Sequence, residues 1–169
     1  MLLPCLVLLA SCAGQVRSNH DPLPHATSAA WAAGQVIDVR TGLTVSRSEW
    51  EQTLSSYDVI YLGEEHRNSH HISAALAVLQ AVLSHGRHPI LAMEMFGWDG
   101  QPALDEYVRS SEASRERFLD RVLWKQNWGG PFEDYEPLVQ FAKDRHLSVV
   151  AMNPPKSQIR QVVQYGVAG

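Results

Sequence analysis

Two short apolar runs in this chain each lead to a glutamate, and a helical segment separates them. The first run, Val59–Leu62, is followed by Gly63 and Glu64, and the second, residues 90–93, is followed by Glu94. Between them, apolar residues recur at spacings of four, three and four, the period of a helix packed on one face. Such a unit predicts two parallel strands with both carboxyl ends at one edge of the sheet. We therefore expect an α/β fold with a mainly parallel sheet flanked by helices.

The remaining elements complete this picture. Residues 35–39 and 43–45 surround a Gly turn and predict an opening β-hairpin. Ser46 and Glu49 form the S-x-x-E pattern that caps a helix, here one that runs through residue 54. A third strand should deliver Asn153 to the same edge as the two glutamates. That strand is predicted at 147–152, with further helices at 102–109, 113–123 and 134–145.

Length and charge narrow the function classes. With 169 residues and 45% hydrophobic content, the chain can bury one core. The net charge is -4, and Lys and Arg are scattered rather than clustered. Nucleic-acid binding normally requires a basic face, so we expect no nucleic-acid partner.

The first twelve residues resemble a bacterial lipoprotein signal. They are apolar except for Pro4 and Ser11, and residues 9–12, Leu-Ala-Ser-Cys, have the form of a lipobox. The run is too short to span a bilayer, which takes about 20 apolar residues. We predict a signal peptide at 1–12, a lipid on Cys12, a flexible tether at 13–34 and an α/β domain at 35–169. The alternative is that Cys12 is an ordinary small residue in a frayed terminus.

Cleavage of this signal would also remove Cys5, the other cysteine of the chain. With Cys12 lipidated, the mature protein would have no thiol for a disulfide, a metal site or a nucleophile. Chemistry based on cysteine is therefore excluded if the signal is real.

The turn after the first strand carries two carboxylates and three imidazoles within eight positions: Glu64, Glu65, His66, His70 and His71. Burying each of these groups costs free energy unless it is paired or bound, so the cluster is a candidate site. Glu64 and His66 are two residues apart and share a face if the strand geometry continues. Their side chains suit zinc, iron or manganese, or could act as base and orienting group in a hydrolysis. The alternative is a salt-bridged loop.

Glu94 joins the list of candidates, and the two later histidines of the cluster have a distinct setting. Glu94 follows an apolar run and needs a cation or hydrogen-bond donors nearby to ionise, unless it lies in water at the rim. His70 and His71 fall in the first turn of the next helix, whose dipole favours a neutral ring able to bind a metal. Of these two, His71 is expected nearer the sheet edge, although one of a vicinal pair is often simply solvated. Glu64, His66 and Glu94 are the predicted catalytic or metal-binding set.

Aromatic residues gather in the loop that precedes the 134–145 helix. They could line a pocket in which Tyr135 offers a phenolate to haem iron. More often such a group is a satellite core beneath a long loop, and we favour that interpretation. The group consists of Trp124, Trp128, Phe132 and Tyr135.

Taken in order, four motifs resemble the ChaN family of haem-binding uptake lipoproteins, which is grouped with the Tiki, TraB and erythromycin-esterase proteins. The motifs are Tyr61-Leu62-Gly63-Glu64-Glu65-His66 with His70-His71, Met93-Glu94-Met95-Phe96, Tyr135-Glu136-Pro137-Leu138 and Ala151-Met152-Asn153-Pro154. By position, Glu64, His66 and Glu94 match the acidic and imidazole residues of the superfamily, and His70-His71 match the double His of the family. The resemblance also implies a domain that continues past residue 169.

The resemblance implies a haem-binding protein of an iron uptake system, with His66, His70, His71 and Tyr135 as candidate cofactor-binding residues. Its expected location is the bacterial envelope, lipid-anchored in the outer membrane and facing the periplasm, and a homodimer is left open. Two alternatives remain. One is a hydrolase that uses a divalent metal such as zinc or manganese at Glu64, His66 and Glu94. The other is an envelope interaction module whose polar residues only pair with one another.

Overall fold

A parallel β-sheet forms the centre of the protein. The computed structural model describes residues 6–9, 32 and 34–167. The chain-order labels of its strands are β1 (Leu6–Leu9), β2 (Val36–Asp38), β3 (Leu43–Val45), β4 (Val59–Leu62), β5 (Ile90–Gly97) and β6 (Val149–Asn153). Four of them pair in the order β4-β1-β5-β6, with every neighbour parallel, while β2 and β3 form a separate antiparallel hairpin. The α/β class and the opening hairpin are thus confirmed.

Seven α-helices lie between and after the strands in the described part of the chain. They are α1 (Arg47–Ser55), α2 (Ser69–Ser84), α3 (Gln101–Arg109), α4 (Arg115–Arg121), α5 (Trp124–Asn127), α6 (Glu136–Asp144) and α7 (Lys156–Tyr165). The predicted capping box is present at the start of α1, where the Ser46 hydroxyl accepts from the Glu49 N–H and the Glu49 carboxylate accepts from the Ser46 N–H. Within the described residues, no helix combines the length and the apolar character needed to cross a membrane.

The strand β1 occupies an unexpected position. Its backbone pairs on one side with β4 and on the other with β5, so these two strands are parallel but not adjacent. Leu6–Leu9 falls within the predicted signal peptide 1–12, and cleavage before Cys12 would remove it from the sheet. Cys12 itself and nearly all of the predicted tether lie outside the described residues. The signal peptide and the tether stay predictions.

The strand β5 is longer than its apolar run indicates. It extends to Gly97, so Glu94 lies inside the strand rather than after its end. The pairing with β6 is irregular there: Met93 faces Ala151 and Gly97 faces Asn153, four residues on one strand against two on the other. A bulge of this kind changes the direction of side chains along the strand. The predicted strand end at Glu94 was therefore wrong, for a reason that bears on the site.

The hydrophobic core lies between the sheet and the helices α2, α3 and α6. Leu79, Leu91, Leu104 and Leu138 have no exposed surface within it. Three of the four loop aromatics belong to this same core, and Trp128 packs against it half-buried; the three are Trp124, Phe132 and Tyr135. The region from Trp124 to Asn127, predicted as loop, is the short helix α5.

Candidate functional site

The site begins in the turn between β4 and α2. The Asn68 N–H donates to the Glu65 carbonyl at 3.2 Å, which closes a four-residue turn around His66 and Arg67. Arg67 has a φ of 67°, a left-handed conformation that is uncommon outside Gly and Asn. The Asn68 side chain then accepts from the His70 N–H and caps α2. The turn therefore fixes His66 between the end of a strand and the start of a helix.

The Glu64 side chain is almost completely enclosed. Only 4% of that side chain is exposed, and its Oε1 atom has two partners. The Tyr135 hydroxyl donates to it at 2.6 Å, and His66 Nδ1 lies 2.8 Å away. A carboxylate can only accept hydrogen bonds, so this arrangement places a hydrogen on Nδ1 and leaves the Nε2 lone pair of a neutral His66 ring available.

The His66 ring is partly open to solvent, with 44% of the side chain exposed. The indole of Trp128 meets it edge to face, with ring centroids 4.8 Å apart and planes at 82°. Trp128 also contacts Tyr135 at 5.5 Å and 90°. The imidazole is thus held by Glu64 and Trp128 while part of its surface faces outward.

Glu94 reaches the same place from β5. One ligand atom from each of Glu64, His66 and Glu94 can be chosen so that all three lie within 4.8 Å of one another. The register explains this meeting, because Leu9 of β1 pairs with Leu62 and with Met93. The two glutamates therefore follow residues at the level where β1 ends, and their side chains converge beyond its end. The predicted convergence is observed.

The strand β6 supports the site through its last residue, Asn153. Asn153 Nδ2 donates to the Glu94 carbonyl at 2.5 Å, which ties the end of β6 to the irregular part of β5. The Trp98 indole N–H, just past β5, donates to the Met152 carbonyl at 2.9 Å. These two bonds support the backbone that carries Glu94.

The chain matches a protein family model over most of its length. The model of the family described as "Haem-binding uptake, Tiki superfamily, ChaN" matches residues 50–169, which is more than half of the chain and includes the whole site. The chain belongs to the ChaN family. Comparisons with curated proteins and with solved structures gave no significant match. Membership of this haem-binding family confirms the predicted resemblance and makes haem the first ligand to consider.

Tyr135, a predicted haem ligand, has surroundings that keep it a phenol. Its side chain has no exposed surface. Burial, and then the hydrogen bond to Glu64, raise the pKa of Tyr135 well above its ordinary value. The phenolate form that binds ferric iron is therefore disfavoured, and the hydroxyl hydrogen is already donated to Glu64. The role of Tyr135 as an iron ligand stays a prediction that this geometry does not favour.

His70 and His71, which match the double His of the ChaN family, lie in two different environments. His71 Nδ1 accepts from the Glu65 N–H at 2.7 Å. In a neutral ring Nε2 then carries the hydrogen, so His71 has no free lone pair for a metal while this bond exists. His70 is exposed in the first turn of α2. Neither belongs to the group formed by Glu64, His66 and Glu94, and their ligand roles stay predictions.

Sequence reasoning missed the part played by Trp128. The residue was assigned to an aromatic group, and nothing local links it to His66, which is 62 positions away in the chain. The sequence does carry a signal for a turn directly after Trp128, namely Gly129 and Gly130. In the structure Gly129 has a φ of 84° and reverses the chain after α5. That turn was not interpreted as bringing an aromatic side chain to the strand ends.

Proposed function

We propose that this ChaN-family protein binds haem in an envelope iron-uptake system, with His66 Nε2 as the iron ligand. The observation that carries the proposal is the Glu64–His66 pair at 2.8 Å, set at the carboxyl edge of a parallel sheet, where ligands of α/β proteins bind. Carboxylates commonly hold metal-binding imidazoles by the nitrogen that does not bind the metal. The donor set therefore fits haem: His66 would hold the iron through Nε2 while Glu64 holds the ring, and haem would supply the iron.

The exposed part of the site suits a large, flat ligand. The His66 side chain is 44% exposed, Trp128 contacts its ring, and Trp98, which directly follows β5, is 54% exposed. Aromatic rings of this kind combine a large apolar area with few rotatable bonds. His66, Trp128 and Trp98 are thus the surface we propose for the macrocycle.

The test is a hemin titration of the purified full chain, followed by the Soret band. We expect His66→Ala to abolish or shift the band of the complex. His88→Ala is the matched control, because His88 is exposed at the opposite end of β5. If the wild-type protein gives no spectral change, or if both variants behave alike, haem binding through His66 is excluded. His70→Ala and His71→Ala in the same titration test the other two predicted haem-binding imidazoles.

Anchoring in the envelope forms a separate part of the proposal. Lipidation at Cys12 would place the protein in the outer membrane, facing the periplasm. Labelling with a radioactive fatty acid in a bacterial host should be lost in Cys12→Ala and retained in Cys5→Ala. Labelling that persists in Cys12→Ala would exclude this anchor. A homodimer, also proposed, is tested by the molar mass of the purified chain in light scattering.

A second candidate function rests on the convergence of Glu64, His66 and Glu94. Two carboxylates and an imidazole can hold zinc or manganese, and a bound metal of this kind activates water for hydrolysis. The test is metal analysis of the protein as purified. Glu94→Gln should remove stoichiometric metal, whereas Glu65→Gln, which alters an exposed carboxylate bonded to Asn68, should not. Protein that contains no metal and takes up none on addition would exclude this function.

A further inference from the structure

Tyr135 contacts the site from the interior of the protein. It lies between the short 3₁₀ turn Phe132–Asp134 and the start of α6, and its side chain is fully buried. The hydroxyl reaches 71 positions back along the chain to Glu64, where it donates to Oε1 at 2.6 Å. The same hydroxyl oxygen lies 3.4 Å from His66 Nδ1. The phenol therefore touches both members of the Glu64–His66 pair.

The Tyr135 ring is fixed by the aromatic side chains around it. Trp128 meets it at 90° with centroids 5.5 Å apart, and Trp124 packs on it at 6.3 Å. Protein interiors are close-packed, so a buried ring cannot move far without displacing its neighbours. The hydroxyl is therefore kept at Glu64 and does not reach outward to the exposed surface of His66.

We propose that Tyr135 and Trp128 are positioning residues that select the tautomer and orientation of His66. Tyr135 holds the Glu64 carboxylate so that Oε1 accepts from the Nδ1–H of His66, and Trp128 restricts rotation of the imidazole ring. Together they present the Nε2 lone pair outward. The inference rests on the proposed function for its purpose, but the tautomer it assigns is a property of the ligand-free protein.

The hydrogen-bond inventory of the three groups supports this assignment. Tyr135 has one hydrogen, which goes to Glu64, and the carboxylate oxygen can accept a second hydrogen from Nδ1. If His66 carried its hydrogen on Nε2 instead, two acceptors, Nδ1 and Oε1, would face each other at 2.8 Å in a site where Glu64 is nearly closed to water. That arrangement leaves a buried acceptor without a donor and is unfavourable.

The experiment uses NMR of the ligand-free full chain with labelled imidazole nitrogens, at a pH where the His66 ring is neutral. The wild type should show the Nδ1–H tautomer. In Tyr135→Phe the Glu64 carboxylate is no longer held in place, so its bond to the Nδ1–H weakens, and the ratio of the Nδ1–H to the Nε2–H tautomer should fall by up to about tenfold, the effect of losing that one hydrogen bond. Trp128→Leu should broaden or shift the same ring signals. Tyr107→Phe is the matched control, since Tyr107 is a buried tyrosine stacked on Phe118.

The outcomes separate the inference from the proposed function. An Nε2–H tautomer in the wild type, or an unchanged ratio in a folded Tyr135→Phe, overturns the positioning role. Glu64→Gln provides a second route to the same test, because it changes the partner of Nδ1 directly. In the hemin complex, Tyr135→Phe should weaken binding by about 10- to 100-fold and shift the iron–imidazole stretching band. Loss of an iron–phenolate charge-transfer band in that variant would instead make Tyr135 the ligand and overturn the inference. If hemin never binds but the tautomer ratios respond, the proposed function fails and the positioning role stands.

Discussion

The bond between Tyr135 and Glu64 should contribute measurably to the stability of the fold. Tyr135→Phe removes the hydroxyl that donates to Oε1 at 2.6 Å and leaves the ring in place. Only 4% of the Glu64 side chain is exposed, so water has little access to replace the lost donor. Hydrogen bonds to charged groups contribute about 1.5 to 3 kcal/mol, and we expect a coupling energy in this range.

A double-mutant cycle isolates this term. The free energy of unfolding in urea would be measured at pH 7 for the wild type, Tyr135→Phe, Glu64→Gln and the double variant. We expect Tyr135→Phe to destabilise the wild type clearly and to have a much smaller effect in the Glu64→Gln background, where the acceptor is neutral. Tyr107→Phe serves as the control and should give the same small effect in both backgrounds. If the losses in free energy of unfolding of the two single variants sum to that of the double variant within about 0.5 kcal/mol, the two residues are not coupled and the reasoning fails.

Three further predictions concern the rest of the fold. Leu79→Ala, in the fully buried face of α2, should lower the free energy of unfolding by about 2 to 5 kcal/mol; Leu43→Ala, 68% exposed, should change it by less than about 0.5 kcal/mol in the same urea titration. Ser46→Ala should destabilise α1 by about 1 kcal/mol, seen as faster amide exchange in that helix, and unchanged exchange would contradict the capping role. The Asp38 carboxylate accepts hydrogen bonds from the Arg40 side chain and from the Arg40 backbone N–H, and these, the side-chain bonds first, lower the pKa of Asp38 to about 2. Because this pKa is depressed in the folded protein, the ionised Asp38 stabilises the fold fully above pH 3.8, and this stabilisation is lost as the pH falls through about 2. In Arg40→Ala, carbon NMR should show the titration midpoint of Asp38 returning towards 3.8.

The convergence of the two glutamates could be predicted from the sequence because the apolar runs that lead to them are a local signal. Four apolar residues before Glu64 and four before Glu94 fit a buried parallel strand, and the helix between them has a clear period. Parallel strands joined by a helix place their carboxyl ends together, so the meeting of Glu64, His66 and Glu94 followed from topology alone. The helix cap at Ser46 is local in the same way.

The unpredicted features depend on contacts between distant parts of the chain. Glu94 interrupts an apolar run that continues with Met95 and Phe96, and a charge in that position suggests a strand end. Only the paired strand β6 reveals the bulge that accommodates it. The contacts of Trp128 and Tyr135 with the site span more than sixty positions, and no spacing rule predicts them.

The role of the segment Leu6–Leu9 could not be predicted from the sequence for a different reason. A secretion signal and an inner parallel strand both require a short, uninterrupted apolar run, so composition does not distinguish them. In the structure this segment pairs on both sides with the sheet. The two roles exclude each other in one molecule, because a cleaved signal cannot remain hydrogen-bonded between β4 and β5.

The irregular pairing of β5 with β6 makes this edge of the sheet sensitive to the exact number of residues in β5. Between the paired positions Met93–Ala151 and Gly97–Asn153, β5 has two residues more than β6. Glu94 is the first residue of this surplus segment of β5. Removing a single residue from the surplus would reverse the side of the sheet that the following positions face, with almost no change in apolar content. Deletion of a single codon there would therefore redirect Phe96, a fully buried core residue, while Glu64, His66 and Glu94 are all kept.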